Sequence, residues 1–167
     1  MKKIVFLTTL TMFLILSRIA YGITWSQLNK YAFASYTPAG FTGKMLYVFE
    51  DPLCPYCDKL NKHIVKYSNE SGYRINFIFK IIHGRQAFDY AIKFVCGHLN
   101  IDNANFIKYT EMDYKGSYCS YGKNLVMDDL AVSNDLDINI TPSFISNTGF
   151  RETGLSLKAV KKGLGIK

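Results

Sequence analysis

The sequence is low in charge and has no long basic tract. Only 20% of its 167 residues are charged and 49% are hydrophobic, which argues against a disordered chain, a collagen or a coiled coil. No run of Lys or Arg forms a stripe that would follow a phosphate backbone, so we expect no nucleic-acid partner. The chain also lacks internal repeats, low-complexity tracts and an inter-domain linker. Its length therefore predicts one globular domain.

The first 22 residues have the three parts of a secretory signal peptide. Two lysines near the start are followed by an uncharged apolar run at residues 4–16, and the small residues Ala20 and Gly22 precede a cleavage point. The alternative is an uncleaved membrane anchor, although the run is short for a membrane span and Arg18 interrupts the segment. Export predicts an oxidising compartment, where an even number of cysteines usually forms disulfides.

Hydrophobic periodicity in the rest of the chain predicts alternating strands and helices. Residues 25–34 are predicted to form a short helix and residues 35–43 a loop, followed by a buried strand at residues 45–49. A helix ending at Gly72 and a second strand at residues 73–82 complete the unit that builds a parallel pair of strands. Further on, the patterns predict helices within residues 87–112 and 121–136, a hairpin at 142–153 and a last helix at 157–164.

A C-x-x-C sequence, formed by Cys54, Pro55, Tyr56 and Cys57, lies where the first buried strand meets its helix. The free N–H groups and the positive dipole end of a helix N-terminus favour a thiolate, which is the nucleophile of disulfide exchange. We therefore expect Cys54, at the exposed start of the helix, to attack a substrate disulfide. Cys57, one turn inside, is expected to resolve the mixed disulfide, and Pro55 and Tyr56 to tune the redox potential.

Other hypotheses remain open for this segment. The two cysteines can form a purely structural disulfide or half of a metal site, but the metal hypothesis lacks a second C-x-x-C, and no metal or other cofactor is expected. Glu50 and Asp51 precede the motif. They either relay protons and separate the pKa values of the two thiols, or lie at a solvated strand end.

The sequence YVFEDPLCPYC at residues 47–57 resembles the active-site segment of the periplasmic disulfide isomerases of the DsbC/DsbG family. Residues 137–145, which include Thr141 and Pro142, resemble the cis-proline segment of that family. The resemblance extends from about residue 44 to the C-terminus. It implies an α/β, thioredoxin-like fold with a helical insertion between the second strand and the cis-proline strand. It also implies that Thr141 and Pro142 face the active cysteines and bind an extended substrate.

Cys96 and Cys119 fall where the family has a second, structural pair of cysteines. The resemblance therefore implies a structural disulfide, whose loop closure is worth about 3 kcal/mol in the chain-entropy model. The alternatives are a second redox-active pair or one cysteine that exchanges with Cys57, and the absence of C-x-x-C spacing disfavours both.

The resemblance implies an exported thiol-disulfide oxidoreductase that reduces or isomerises disulfides of envelope proteins in the periplasm. A membrane thiol reductant similar to DsbD is the expected redox partner. A DsbA-like oxidase and a non-catalytic binding module on the same fold are the alternatives. The predicted organisation is a signal peptide at residues 1–22, a short helix and linker at 23–43, and a catalytic domain at 44–167. Because residues 23–43 are too few for the dimerisation domain of the family, we expect a monomer.

Overall fold

The computed structural model describes residues 23–99, 102–110 and 115–167. The predicted signal peptide lies outside the described residues. Within the described ranges, no helix is both long enough and apolar enough to cross a membrane.

In the described part of the chain, five strands form one mixed sheet. The strands are β1 (Ala34–Tyr36), β2 (Met45–Glu50), β3 (Arg74–Phe79), β4 (Ser143–Ser146) and β5 (Arg151–Thr153). They lie in the order β1-β3-β2-β4-β5. The pair of β2 and β3 is the parallel pair predicted from the sequence, and the other three neighbouring pairs are antiparallel.

The N-terminal segment differs from its prediction. Helix α1 (Trp25–Leu28) begins after the N-cap residue Thr24 and continues as a 3-10 turn over Asn29–Tyr31. Strand β1 then pairs with β3, although the sequence pattern predicted the end of a helix and a loop there. The prediction is wrong because three residues are too few to show a period, and β1 is held by its pairing with a distant strand.

The remaining helices agree with their predictions except near their ends. Helix α2 (Pro55–Ser71) connects β2 to β3 and ends at Gly72, which adopts the left-handed conformation with φ of 72°. The helical insertion lies between β3 and β4. These are the second strand and the cis-proline strand of the prediction, and their numbers are higher by one because the structure has the additional strand β1 before them. The insertion consists of α3 (Gly84–Gly97), α4 (Asn103–Thr110) and α5 (Ser120–Asp135), and the last helix is α6 (Leu157–Gly163).

Both faces of the central strands are buried, because successive side chains alternate between two hydrophobic clusters. Leu46 and Val48 of β2 belong to the larger cluster, while Tyr47 and Phe49 belong to a smaller one that includes Leu28 of α1. The carboxyl end of β2, where the chain turns towards the C-x-x-C sequence, is therefore surrounded by packed side chains.

Aromatic side chains fix the insertion against the sheet. Phe33, just before β1, stacks on Phe79 of β3 with ring centroids 3.6 Å apart. Tyr109 of α4 packs edge-on against Phe33 at 4.8 Å, and against Phe94 of α3 at 5.4 Å. These contacts hold Tyr109 beside Phe79, which is the register partner of Glu50 at the end of β2.

A disulfide bond ties the two ends of the segment that carries α4. It joins Cys96, in the last turn of α3, to Cys119, the N-cap residue of α5, with the Cα atoms 5.7 Å apart. Gly122 lies against this bond, and a Cβ at that position would lie 2.5 Å from Cys96 Sγ. Only glycine therefore allows α5 to begin so close to α3.

Candidate active site

The N-terminus of α2 holds the first thiol of the C-x-x-C sequence. Cys54 is the N-cap residue, and Pro55 occupies the first helical position, where a missing N–H costs nothing. The backbone N–H of Cys57 donates to Cys54 Sγ at 3.3 Å. Cys54 Sγ also lies 3.5 Å from the carbonyl oxygen of Thr141, in the loop before β4.

Several hydrogen bonds favour the thiolate of Cys54. The Cys57 side chain contributes most, and the backbone N–H groups of Cys57 and Tyr56 act in the same direction. Together they lower the pKa of Cys54 to about 6, although burial opposes this change. The residue is only 3% exposed, so the expectation of an exposed thiol at the helix start is wrong. The loop containing Thr141 covers it, and that contact joins residues 87 positions apart in the sequence.

The second thiol is shifted in the opposite direction. Cys57 is 2% exposed, and burial raises its pKa far above the usual thiol range. Its hydrogen bond with Cys54 and the negative charge of Glu50 raise the pKa further. Both cysteines are free thiols in this structure. One of them is therefore prepared as a nucleophile while the other keeps its proton.

Glu50 is a fully buried carboxyl group at the end of β2. Burial raises its pKa to about 8, against hydrogen bonds from Tyr109 and Asn61 that favour the ionised form. Asn61 donates to Glu50 Oε2 at 3.3 Å from the face of α2 that also carries Cys57. The hypothesis of a solvated strand end is therefore wrong for Glu50, and its titration falls in the pH range where disulfide exchange occurs.

Asp51 is also buried, but its contacts organise the backbone. One oxygen accepts from the N–H groups of Ile82 and His83 at 2.6 and 2.9 Å. The other accepts from the Leu53 N–H at 2.8 Å and lies 3.1 Å from His83 Nδ1. Asp51 thus fixes the turn that leads to Cys54 and anchors it to the loop between β3 and α3.

The loop before β4 completes the site. The peptide bond between Thr141 and Pro142 is cis, and Thr141 is 4% exposed and directed towards Cys54. The structure therefore brings Thr141 and Pro142 to the thiols, as the sequence resemblance implied. Their predicted contact with a substrate stays a prediction.

The accessible surface beside the thiols is small and shallow. A depression of about 310 Å³ is lined by Pro52, Leu53, Cys54, Pro55 and Asp58. Tyr56 projects from this rim with 56% of its surface exposed, and Lys59 Nζ lies 5.6 Å from the centroid of its ring. An extended disulfide-bearing segment fits such a rim better than a small molecule, which needs an enclosed cavity.

Two residues of this site were missed by the sequence analysis. Asn61 lies four positions after Cys57, so helical spacing alone places it on the same face of α2. Tyr109 reaches Glu50 from α4, and no sequence signal connects residues so far apart. Within the described ranges, no group of three or more His, Cys, Asp or Glu side chains is arranged to bind a metal ion.

These observations define a class: a thioredoxin fold with a C-x-x-C pair at a helix N-terminus, facing a cis-proline loop. A family model for the thioredoxin-like domain matches residues 39–159. The chain belongs to this thioredoxin-like domain family. No curated protein matches the sequence significantly.

Solved structures share the fold at low sequence identity. A disulfide interchange protein from Neisseria gonorrhoeae is 19% identical, with a TM-score of 0.63, and the match covers 83% of this chain and 99% of that one. The thiol-disulfide exchange protein α-DsbA2 from Wolbachia pipientis is 14% identical with a TM-score of 0.62, covering 84% and 91%. A periplasmic thioredoxin-like protein from Salmonella enterica serovar Typhimurium is 12% identical with a TM-score of 0.58, covering 79% and 90%. These similarities confirm the thioredoxin-like fold with its helical insertion, whereas the DsbC/DsbG subfamily stays a prediction.

Proposed function

We propose that this protein is a thiol-disulfide oxidoreductase that reduces or isomerises disulfides in envelope proteins. Cys54 is the attacking thiol and Cys57 the resolving thiol. The observation that carries the proposal is the opposite shift of two thiols three residues apart, with the pKa of Cys54 lowered to about 6 and that of Cys57 raised. A purely structural disulfide needs no such difference between its two sulfur atoms.

The first step is nucleophilic attack by the Cys54 thiolate. At pH 7 a thiol with a pKa of about 6 is about 90% ionised, whereas an ordinary thiol is almost entirely protonated. The thiolate attacks one sulfur of the substrate disulfide and forms a mixed disulfide with it. The other substrate sulfur leaves as a thiolate and takes a proton from solvent.

The second step releases the substrate. Cys57 gives up its proton and attacks Cys54 Sγ, so that the Cys54–Cys57 disulfide forms and the substrate sulfur leaves as a thiolate. The ionised form of Glu50, about 10% of the group at pH 7 for a pKa of about 8, is the proton acceptor of this step, since its charge acts directly on Cys57. Two electrons thereby pass from the protein to the substrate. In isomerisation, the first released substrate thiolate attacks another substrate disulfide. The thiolate set free there then attacks the mixed disulfide, so that Cys54 leaves as a thiolate and no electrons pass to the substrate.

The substrate proposed here is an extended polypeptide bound beside the cis-proline loop. Thr141 lies against Cys54, and the side chain of Tyr56, between the two cysteines in the sequence, is 56% exposed. Proteins of the envelope are the proposed substrates because the Cys96–Cys119 disulfide and the signal-like residues 1–22 both fit an oxidising compartment. A periplasmic location, a monomeric state and a membrane reductant similar to DsbD are parts of the same proposal.

A disulfide oxidase is the second candidate function. The same two steps run in reverse transfer a disulfide from Cys54 and Cys57 to a substrate dithiol. The lowered pKa of Cys54 supports this candidate, because stabilising the reduced form of the pair makes its disulfide a better oxidant. The structural neighbour from Wolbachia pipientis is described as a DsbA2 protein, which is consistent with it.

The proposal is tested by the redox equilibrium of Cys54 and Cys57 in glutathione buffers. A potential between about −120 and −230 mV is expected for a protein that exchanges disulfides. A potential below about −300 mV contradicts the proposal and indicates a stable structural bridge on a binding module. Alkylation trapping in intact cells then separates the two candidates. Mostly reduced Cys54 supports the reductase or isomerase, and mostly oxidised Cys54 supports the oxidase.

A further inference from the structure

The positive charge of the described chain is concentrated at its C-terminal end. Residues 23–150 contain twelve Lys or Arg and twelve Asp or Glu, so their side-chain charges cancel. Residues 151–167 contain five Lys or Arg and one Glu. Four of these five cations are lysines in the ten-residue stretch 158–167, which comprises most of α6 and the segment after it. We call them the lysine face: Lys158, Lys161, Lys162 and Lys167.

The lysine face is a single surface. Lys161 and Lys162 lie three and four positions after Lys158, so the three side chains project from one side of α6. Among the described residues, no carboxylate lies within 4.0 Å of any of the four ammonium groups. Their charges are therefore not neutralised by ion pairs.

Apolar side chains lie among these cations. A groove of about 590 Å³ is lined by the lysine face together with Leu157 and Ile166, both of which are partly exposed. Lysine buries its aliphatic stem along apolar surface while its ammonium group reaches outwards. The groove therefore has an apolar floor and a positively charged rim.

We propose that the lysine face docks the protein on a membrane surface that contains anionic phospholipids. Clustered lysines attract anionic headgroups, and the apolar floor of the groove between them can cover lipid carbon next to the headgroup. An acidic protein fits less well, because none of the six groove residues is a Trp, Tyr or Arg, the types that dominate the binding energy of protein interfaces. Lysine provides mobile point charges, which suit a fluid lipid surface that presents no fixed geometry.

The lysine face lies far from the active site. Lys161 Nζ lies 6.0 Å from the ring centroid of Tyr67, near the C-terminal end of α2. Cys54 is at the other end of that helix, thirteen residues away, which corresponds to about 20 Å along the helix axis. The lysine face and the depression beside Cys54 are therefore separate surfaces that share no residue.

The test is acetylation footprinting of lysines in the full chain, read by mass spectrometry. Vesicles of phosphatidylcholine alone are compared with vesicles in which about a third of the lipid is phosphatidylglycerol. At about 0.1 M salt we expect the anionic vesicles to slow acetylation of the lysine face by about fivefold or more. At about 1 M salt this protection should disappear, because the Debye screening length shortens from about 10 to about 3 Å. Lys30 and Lys108, exposed on other elements, are internal references and should react at the same rate with either vesicle.

A pair of matched variants localises the effect. In Lys158→Gln/Lys161→Gln/Lys162→Gln, the protection of the remaining Lys167 should be lost. In Lys30→Gln/Lys108→Gln/Lys123→Gln, which has the same net charge, it should persist. Equal loss in both variants would show that net charge alone drives association, which overturns the proposal.

Other outcomes also overturn the proposal. These are equal protection by phosphatidylcholine vesicles, protection that survives high salt, and protection of Lys30 as strong as that of the lysine face. Protection by soluble polyglutamate but not by anionic vesicles would identify an acidic polypeptide as the occupant instead. If the triple variant of α6 fails to fold by circular dichroism, the footprint of the unaltered chain decides alone.

Discussion

Replacing Glu50 by Gln should remove a large pH dependence from the stability of the protein. The pKa of Glu50 rises from 4.5 to about 8 on folding because the carboxyl group is buried. Between these values the folded protein holds a proton that the unfolded chain releases, so the free energy of unfolding falls as pH rises. A difference of about 3.5 units, at 1.36 kcal/mol per unit, corresponds to a loss of about 5 kcal/mol, complete above about pH 8.

The Glu50→Gln variant cannot ionise at this position. We expect it to match the parent protein within about 1 kcal/mol at pH 4, where Glu50 is protonated in both the folded and unfolded states. Above pH 8 it should be about 5 kcal/mol more stable than the parent protein. Guanidinium unfolding of the reduced proteins between about pH 4 and 9, with linear extrapolation to water, measures this difference.

The comparison separates Glu50 from the other groups that titrate. The lowered pKa of Cys54 makes its own contribution grow with pH above about 6. Cys54 is present in both proteins, so this contribution is common to them except for the part that comes from its charge acting on Glu50. Glu70→Gln is the control, since Glu70 is an exposed residue of the same helix as Cys54 and should change stability by less than about 0.5 kcal/mol. A difference between parent and Glu50→Gln that stays constant across the pH range would refute the assignment of a raised pKa to the buried carboxyl.

Three further predictions concern the thiols, the insertion and the disulfide. Alkylation of Cys54 by iodoacetamide should follow a titration near pH 6 in the folded protein and move to the ordinary thiol range of about 8.5 in denaturant; a midpoint near 8.5 in the folded state would contradict the hydrogen-bond argument. Tyr109→Phe removes a hydrogen bond that favours ionised Glu50, so the pKa of Glu50 should rise and the loss of stability with pH should move to higher pH; an unchanged curve would rule out that bond. Replacing both Cys96 and Cys119 by Ala should cost about 3 kcal/mol in the free energy of unfolding while exchange activity remains, and a folded double variant without activity would give the pair a redox role.

The local parts of the site are predictable from the sequence. Cys54 as an N-cap, Pro55 in the first helical turn and Gly72 at the end of α2 all follow from rules that involve a few neighbouring residues. The central strand β2 was equally clear, because a continuous apolar run of that length is typical of a strand buried on both faces. These features depend on short-range backbone chemistry and on the period of the side chains.

The electrostatics of Glu50 were not predictable, because they depend on contacts between distant segments. Nothing in the sequence around Glu50 indicates that it is fully buried, and a proton relay and a solvated strand end were equally compatible with it. Tyr109 reaches Glu50 from the insertion, so the raised pKa of Glu50 could be obtained only from the fold. Strand β1 was missed for the same reason, since its pairing with β3 is a tertiary contact. The lowered pKa of Cys54, by contrast, depends mostly on its neighbours Tyr56 and Cys57 and agrees with the thiolate expected at a helix N-terminus.

The lowered pKa of Cys54 changes the redox potential too little to decide the direction of electron flow alone. At pH 7, lowering a thiol pKa from 9.0 to about 6 stabilises the reduced pair by a factor of about ten, which is equivalent to about 30 mV for a two-electron couple. The potentials of thioredoxin and DsbA differ by about 150 mV, five times as much. The direction of transfer must therefore depend on which partner keeps the pair reduced or oxidised. Tyr56, which lies between the two cysteines in the sequence and has 56% of its surface exposed, is a side chain that such a partner would contact.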